Sequence, residues 1–220
     1  MADIRTLPVT AELIDYVVDH GTWPVDEVLA DLHAETAALG RVAGMQVGAD
    51  QGQLLTLLTR VVDAHRAVEV GTFTGYSSLC IARGLAPGGT LLCCDVSEEW
   101  TAMARRAWAR AGVDDRIELR IAPAVETLRA LPTDEPLDLV FIDADKPGYP
   151  AYWEELVPRV RPGGLLLVDN VLWSGSITDE SRTDDNTLAL RAFNDAVAAD
   201  DRVDVAILPA FDGLTIARKR

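Results

Sequence analysis

Basic charge is what this chain has least of for its size. It carries 20 Lys and Arg against 35 Asp and Glu, a formal net charge of −15. Binding to polyanions rests on Lys and Arg neutralising phosphates, so unassisted binding to nucleic acid or to an anionic membrane is not expected. Cysteine is scarce as well: Cys80, Cys93 and Cys94. An odd number without ligand spacing is neither a disulfide framework nor a zinc site. The expectation is buried, reduced thiols that act as small hydrophobes. No apolar run approaches the length of a membrane span. The opening MADIRTLPVT has no basic segment followed by an apolar core, the pattern of a secretory leader. A cytoplasmic location without a membrane partner is therefore expected. Internal repeats and low-complexity segments are also missing. What the chain does have is 49% hydrophobic residues over 220 positions, enough to bury one sizeable core. The whole of 1–220 reads as a single domain with a helical N-terminal region, 1–66, and a core from 67 to 220.

In the N-terminal region, YVVDHGTW reads as the end of a short helix broken by Gly21 and Pro24. VDEVLADLHAETAAL has Val28, Leu29, Leu32 and Leu39 at helical spacing. Residues 40–50, GRVAGMQVGAD, have three glycines and little periodicity, which predicts a loop. Asp50 followed by Gln53 resembles a capping box that opens the helix QGQLLTLLTRVVDAH. From residue 67 the pattern changes. AVEV, TLLCCD, IELRI, LDLVFID and LLLVDN are short apolar runs, and YSSLCIARGL, EEWTAMARRAWARAG, AVETLRAL and YPAYWEELVPRV alternate with them as helix-like stretches. Strands buried on both faces and separated by helices predict a parallel sheet with βαβ crossovers. DVAILP and GLTIARK are separated only by Ala210, Phe211 and Asp212. That gap is too short for a parallel crossover and predicts an antiparallel pair.

Three places along this pattern carry chemistry. VEVGTFTGYSS is a strand, a glycine turn and a helix start. Gly71 and Gly75 permit a tight turn and close approach of a ligand, and Ser77 with neighbouring amides can hold an anion. The spacing is not that of the dinucleotide fingerprint. Glu69, one strand residue earlier, suits a ligand bearing an ammonium. Asp95 ends the second strand, where a carboxylate can accept both ribose hydroxyls of a nucleoside. A helix N-cap is the plain alternative for Asp95, with Ser97 in competition. Asp143, Asp169 and Asn170 follow two buried strands, at the sheet edge where open α/β folds bind ligands. Three hard oxygens with no Cys or His nearby suit Mg²⁺ or Ca²⁺ better than Zn²⁺. Lys146 lies three residues beyond Asp143. An adjacent cation and apolar walls would lower its pKa towards general-base work. Tyr149, Trp153, Trp173 and Trp23 are candidates for an aromatic wall or for plain core. His20, His33 and His65 lack metal spacing and read as structural.

Taken together, EVGTFTGYSSL, CCDVSEEW, AVETL, DLVFIDADKPGYPAYWE, LLLVDNVLWSG and DGLTIARK resemble the cation-dependent, S-adenosylmethionine-dependent O-methyltransferases, a family that includes caffeoyl-CoA and catechol enzymes and bacterial relatives. The likeness runs from about residue 45 to the end. It implies a Rossmann-like α/β fold with seven strands, the last pair antiparallel. It implies Glu69, Gly71, Thr72 and Ser77 around the methionine part of the cofactor, Asp95 on its ribose and Ala124 near its adenine. Val47, Phe73, Val96, Asp143 and Asp145 complete the implied cofactor set. Val47 stands where relatives often place a polar residue, and IAPA lacks a glycine often found before the adenine slot. Asp143, Asp169 and Asn170 match the metal ligands, with Mg²⁺ foremost and Ca²⁺ or Mn²⁺ as alternatives. Lys146 matches the base and shares the catalytic centre with Asp143. DADK follows the caffeoyl-CoA and bacterial branch; the catechol enzyme has histidine and tryptophan between acid and lysine.

The expected reaction is methyl transfer to one hydroxyl of a small aromatic vicinal diol. One alternative is methylation of a hydroxylated uridine in tRNA, against which the acidic balance counts. Another is a cofactor-binding module without turnover. A homodimer is also expected. An apolar stripe of Val25, Val28, Leu29 and Leu32 needs cover, either from the chain itself or from a second copy, and the resemblance raises the second. Residues 40–50 are expected to act as a mobile cover over the acceptor pocket.

Overall fold

The apolar runs come together as one seven-stranded sheet. A computed structural model describes residues 8–21, 23 and 25–220; Pro24 and the first seven residues lie outside that range. The strands are β1 (Arg66–Val70), β2 (Thr90–Asp95), β3 (Ile117–Ile121), β4 (Leu137–Ile142), β5 (Val160–Val168), β6 (Val203–Leu208) and β7 (Leu214–Lys219), in spatial order β3-β2-β1-β4-β5-β7-β6. The first five pair in parallel, and β7 runs antiparallel to both β5 and β6. The strand LDLVFI is buried at all six positions, as a central strand covered on both faces must be.

The period-two alternation divides the core into two apolar layers. On one face Cys93, Leu139, Phe141 and Leu167 meet helices α2 (Glu27–Ala37), α3 (Ala49–Val61), α4 (Tyr76–Gly84) and α5 (Glu98–Ala111). On the other, Val68, Cys94, Val140 and Leu166 meet α6 (Ala124–Arg129), α7 (Tyr149–Leu156) and α8 (Asp185–Ala198). Adjacent Cys93 and Cys94 thus serve opposite layers, and all three cysteines are buried and free. The first helix, α1 (Ala11–Asp19), contributes no buried residue to either layer.

Several expectations for the helical region are corrected. Residues 40–50 are not an irregular loop: Gly40–Met45 form a 3-10 helix, and α3 already begins at Ala49. Asp50 is not the N-cap. Gly48 holds that position without a side-chain bond, and the Asp50 carboxylate folds back over it, where a Cβ on Gly48 would come within 2.6 Å of Oδ1. Asp50 instead supplies negative charge to the first turn. Gln53 does not complete a capping box; its amide donates to the carbonyls of Val18 and Trp23 and ties the N-terminal segment to α3. The same helix stops short of His65 because Asp63 turns left-handed, at φ 51°. The Val25–Leu32 stripe is covered by the chain's own core, with Leu29 and Leu32 buried and Val25 and Val28 packed against them. Helix α8, which links β5 to β6, was not anticipated. Among the described residues no helix is long and apolar enough to cross a membrane.

Candidate active site

The carboxyl ends of β1, β2, β4 and β5 open into one cleft of about 700 Å³. β1 runs into Gly71, β2 ends on Asp95, and β4 and β5 run into Asp143 and Asp169, where the hydrogen-bond ladder runs out and the chain turns towards solvent. The Gly71 amide donates to the carbonyl of Cys94, Asp143 N to Val70 O, and Asp169 N to Ile142 O. These bonds pin the glycine turn and both strand-end acids to the sheet. Gly71 has φ 91°, and a Cβ there would meet the carbonyl oxygen of Asp143 at 2.0 Å. Gly75 has φ 90°, and its Cβ would run into Ala104 at 2.4 Å. No side chain is admissible at either position.

At the end of the cleft that holds the glycine turn, Val47, Gly71, Thr72, Phe73, Ser77, Asp95 and Asp145 line it. Glu69, Val96 and Ala124 do not. Glu69 lies wholly beneath the floor and Ala124 is buried, whereas Val96 is exposed outside. Ser97, not Asp95, caps α5, by accepting from Trp100 N. The Asp95 carboxylate accepts from Thr72 N and Phe73 N at Oδ2 and from Val96 N and Ser97 N at Oδ1. It therefore holds the glycine turn in shape. Asp145 accepts the hydroxyl proton of Tyr152 at 2.5 Å. Burial pushes the Glu69 carboxyl up to about 7. Cys93 Sγ donates to its Oε2 at 3.5 Å, and Oε1 has no partner within hydrogen-bonding distance. The hydroxyl oxygen of neighbouring Thr72 is equally unpartnered. Two orphaned oxygens beside a glycine turn and a helix start fit a zwitterionic ligand of the kind the sequence predicts.

At the other end, Asp143, Asp169, Asn170 and Lys146 come together. Lys146 is 7% exposed. Its Nζ donates to Asn170 Oδ1 at 2.6 Å, Tyr149 Oη at 2.7 Å and Asp143 Oδ1 at 3.1 Å. It is not a solvated loop lysine. Burial raises the Asp143 pKa against the pull of Lys146. Burial, followed by repulsion from Asp143, likewise raises that of Asp169. The protein alone thus leaves this pair of carboxylates under-neutralised, and an ammonium already leans on two of the three oxygens. Among the described residues no group of three or more His, Cys, Asp or Glu side chains is placed for a metal. The donor set is two carboxylates and one amide oxygen, whose chemistry fits a hard divalent cation.

Sequence reasoning missed several participants. Gln51, buried in α3, places its side chain beside Asp169. Asp212, in the turn before β7, lines the cleft and accepts Ser174 N at Oδ1. That bond clamps a strap in which Asn170, Trp173 and Ser174 all have left-handed φ. Trp173 walls the cleft, whereas Tyr149 and Trp153 are core, and Trp23 lines a separate cavity of about 380 Å³. Nothing in the sequence pattern singles out Gln51, because the buried face of its helix also carries Thr56 and Thr59.

Residues 20–220 match the model of a protein family described as O-methyltransferase. A probable caffeoyl-CoA O-methyltransferase 2 of Dictyostelium discoideum is 37% identical over 215 residues, 94% of this chain and 91% of its own length. Caffeoyl-CoA O-methyltransferase 2 of Zea mays is 35% identical over 98% of this chain and 85% of its own length. Among solved structures, an O-methyltransferase from Bacillus cereus in complex with SAH superposes with a TM-score of 0.87 at 33% identity, covering 95% of this chain and 97% of that one.

Proposed function

Because the chain belongs to the O-methyltransferase family, we propose that it methylates one hydroxyl of a small catechol-type acceptor with the help of a divalent cation. The single observation that carries this reading is the convergence of Asp143, Asp169, Asn170 and Lys146 in a cleft shared with the glycine turn. S-adenosylmethionine supplies the methyl group, leaving as S-adenosylhomocysteine, and the cation, Mg²⁺ foremost and Ca²⁺ or Mn²⁺ otherwise, supplies Lewis acidity.

The chain's own residues do the rest. Asp143, Asp169 and Asn170 hold the cation. Lys146 Nζ, as the neutral amine with a lone pair in place of one of its three N–H groups, receives the proton of the acceptor hydroxyl. Trp173 walls the acceptor end, and Met45 at the end of the 3-10 helix and Gln46 just after it also line the cleft, where they would limit access of water. Gly71, Thr72, Ser77 and Asp95 hold the donor end. The acceptor is small and carries no polyphosphate: Lys146 is the one cationic side chain among the described lining residues, beside five aspartates. A tRNA acceptor runs against the same charge.

Asp169→Ala should lower divalent-dependent turnover by about a hundredfold or more. The assay is transfer of labelled methyl to catechols, caffeoyl derivatives and tRNA, with Mg²⁺ or with EDTA. Full activity of the variant in EDTA would end the cation-assisted reading, and labelling of tRNA alone would replace the acceptor.

A further inference from the structure

The hydrogen bonds around Lys146 have a fixed polarity, and it originates at Tyr149. Tyr149 is the first residue of α7 and is fully buried, with its ring packed edge-on against Phe193 of α8 at 5.5 Å between centroids. Its hydroxyl has one proton. That proton goes to the main-chain carbonyl of Asp169 at 3.0 Å, a group with no proton to return. The hydroxyl can therefore only accept from Lys146, whose Nζ lies 2.7 Å away. Every arrangement of protons on Lys146 that keeps this contact uses one N–H to make it.

We propose that Tyr149 is a positioning residue for Lys146. It anchors one N–H of Nζ at the buried end of the site, and the tetrahedral geometry of the nitrogen directs the two remaining valences at Asp143 and Asn170, on the cleft side. A lysine side chain has four rotatable bonds and is a poor positioner of its own nitrogen. The anchor removes that freedom where a displacement of about 1 Å would cost the reaction heavily. Because the same hydroxyl is tied to the carbonyl of Asp169, the nitrogen is set relative to the strand end that carries Asp169 and Asn170. Neither a loop position nor Pro147-Gly148 gives Lys146 such a reference.

This inference rests on the proposed role of Lys146, and a double-mutant cycle separates the two. Steady-state rates with S-adenosylmethionine, Mg²⁺ and catechol are measured for the wild type, Tyr149→Phe, Lys146→Ala and the double variant. The dissociation constant of S-adenosylmethionine is followed by calorimetry. Tyr149→Phe, which removes one oxygen, is expected to lower kcat about tenfold with both KM values and the cofactor constant within about twofold. In the Lys146→Ala background its effect should collapse to less than about twofold. An undiminished effect in that background would make Tyr149 merely structural and overturn the inference, as would an unchanged kcat in Tyr149→Phe where Lys146→Ala is slow. Wild-type kcat in Lys146→Ala would instead overturn the role of Lys146 itself. If Tyr149→Phe does not fold, Phe193→Leu loosens the ring while keeping the hydroxyl. It should lower kcat with KM unchanged only while Lys146 is present, and an unchanged kcat again overturns the inference.

Discussion

Glu69 is the residue whose environment costs the free protein most visibly. Its pKa rises from 4.5 to about 7, with burial the leading cause. A group with a raised folded-state pKa favours folding fully below its unfolded value, and that contribution is lost as pH climbs through about 7. The loss is on the order of a few kcal/mol. Glu69→Gln removes the titration, so the variant's Tm without ligand should exceed the wild type's by several degrees, roughly 3–8 °C, at pH 8 but scarcely at pH 5. Scanning calorimetry at the two pH values decides it, and an equal difference at both would refute the assignment. Single residues were legible in the sequence where a buried strand ends on an unexpected polar group, as at Asp95, Asp143 and Asp169. Tyr149, Gln51 and Asp212 were not, because each depends on what the chain brings opposite it. Tyr149 looks like any core tyrosine until the carbonyl of Asp169 is seen beneath its hydroxyl.

At the scale of elements, strands β1 to β7 were legible to within a few residues, since short two-faced apolar runs allow little else in an α/β chain. Helix ends were harder to place. Local pairing of Asp50 with Gln53 suggested a capping box, but Gln53 is used by contacts 30 and 35 residues away in sequence. The three glycines of residues 40–50 suggested an irregular loop. The segment instead makes about two turns of 3-10 helix, whose poor hydrogen-bond geometry suits a piece that must shift. Its Gly44, Met45 and Gln46 line the cleft, and Arg41 stands exposed on it. The cover proposed for the acceptor pocket is therefore this helix. Trypsin cleavage at Arg41 should slow about fivefold or more when S-adenosylmethionine, Mg²⁺ and a catechol are all present. Unchanged cleavage would mean that the segment is not a lid.

At the scale of the whole molecule, the apolar stripe that suggested a homodimer contact does not need one. The Val25–Leu32 stripe is satisfied within the chain, which leaves α1 with Ile14, Tyr16 and Val17 at 39%, 59% and 48% exposure. We propose that a second copy covers this helix. Light scattering at micromolar concentration should give twice 23.8 kDa, falling to one copy for Val17→Glu; a single-copy mass for the wild type would dispose of the dimer. Antiparallel β7 has a practical consequence of another kind. The chain has two lysines, Lys146 and Lys219. Lys146 is buried in the site, whereas Lys219 ends the strand that starts beside the cleft and runs away from it. An amine-reactive surface or dye thus meets one accessible lysine, at the far edge of the sheet. Molecules captured through it, with the α-amine blocked, would be uniformly oriented, with the cleft mouth open to the flowing solution.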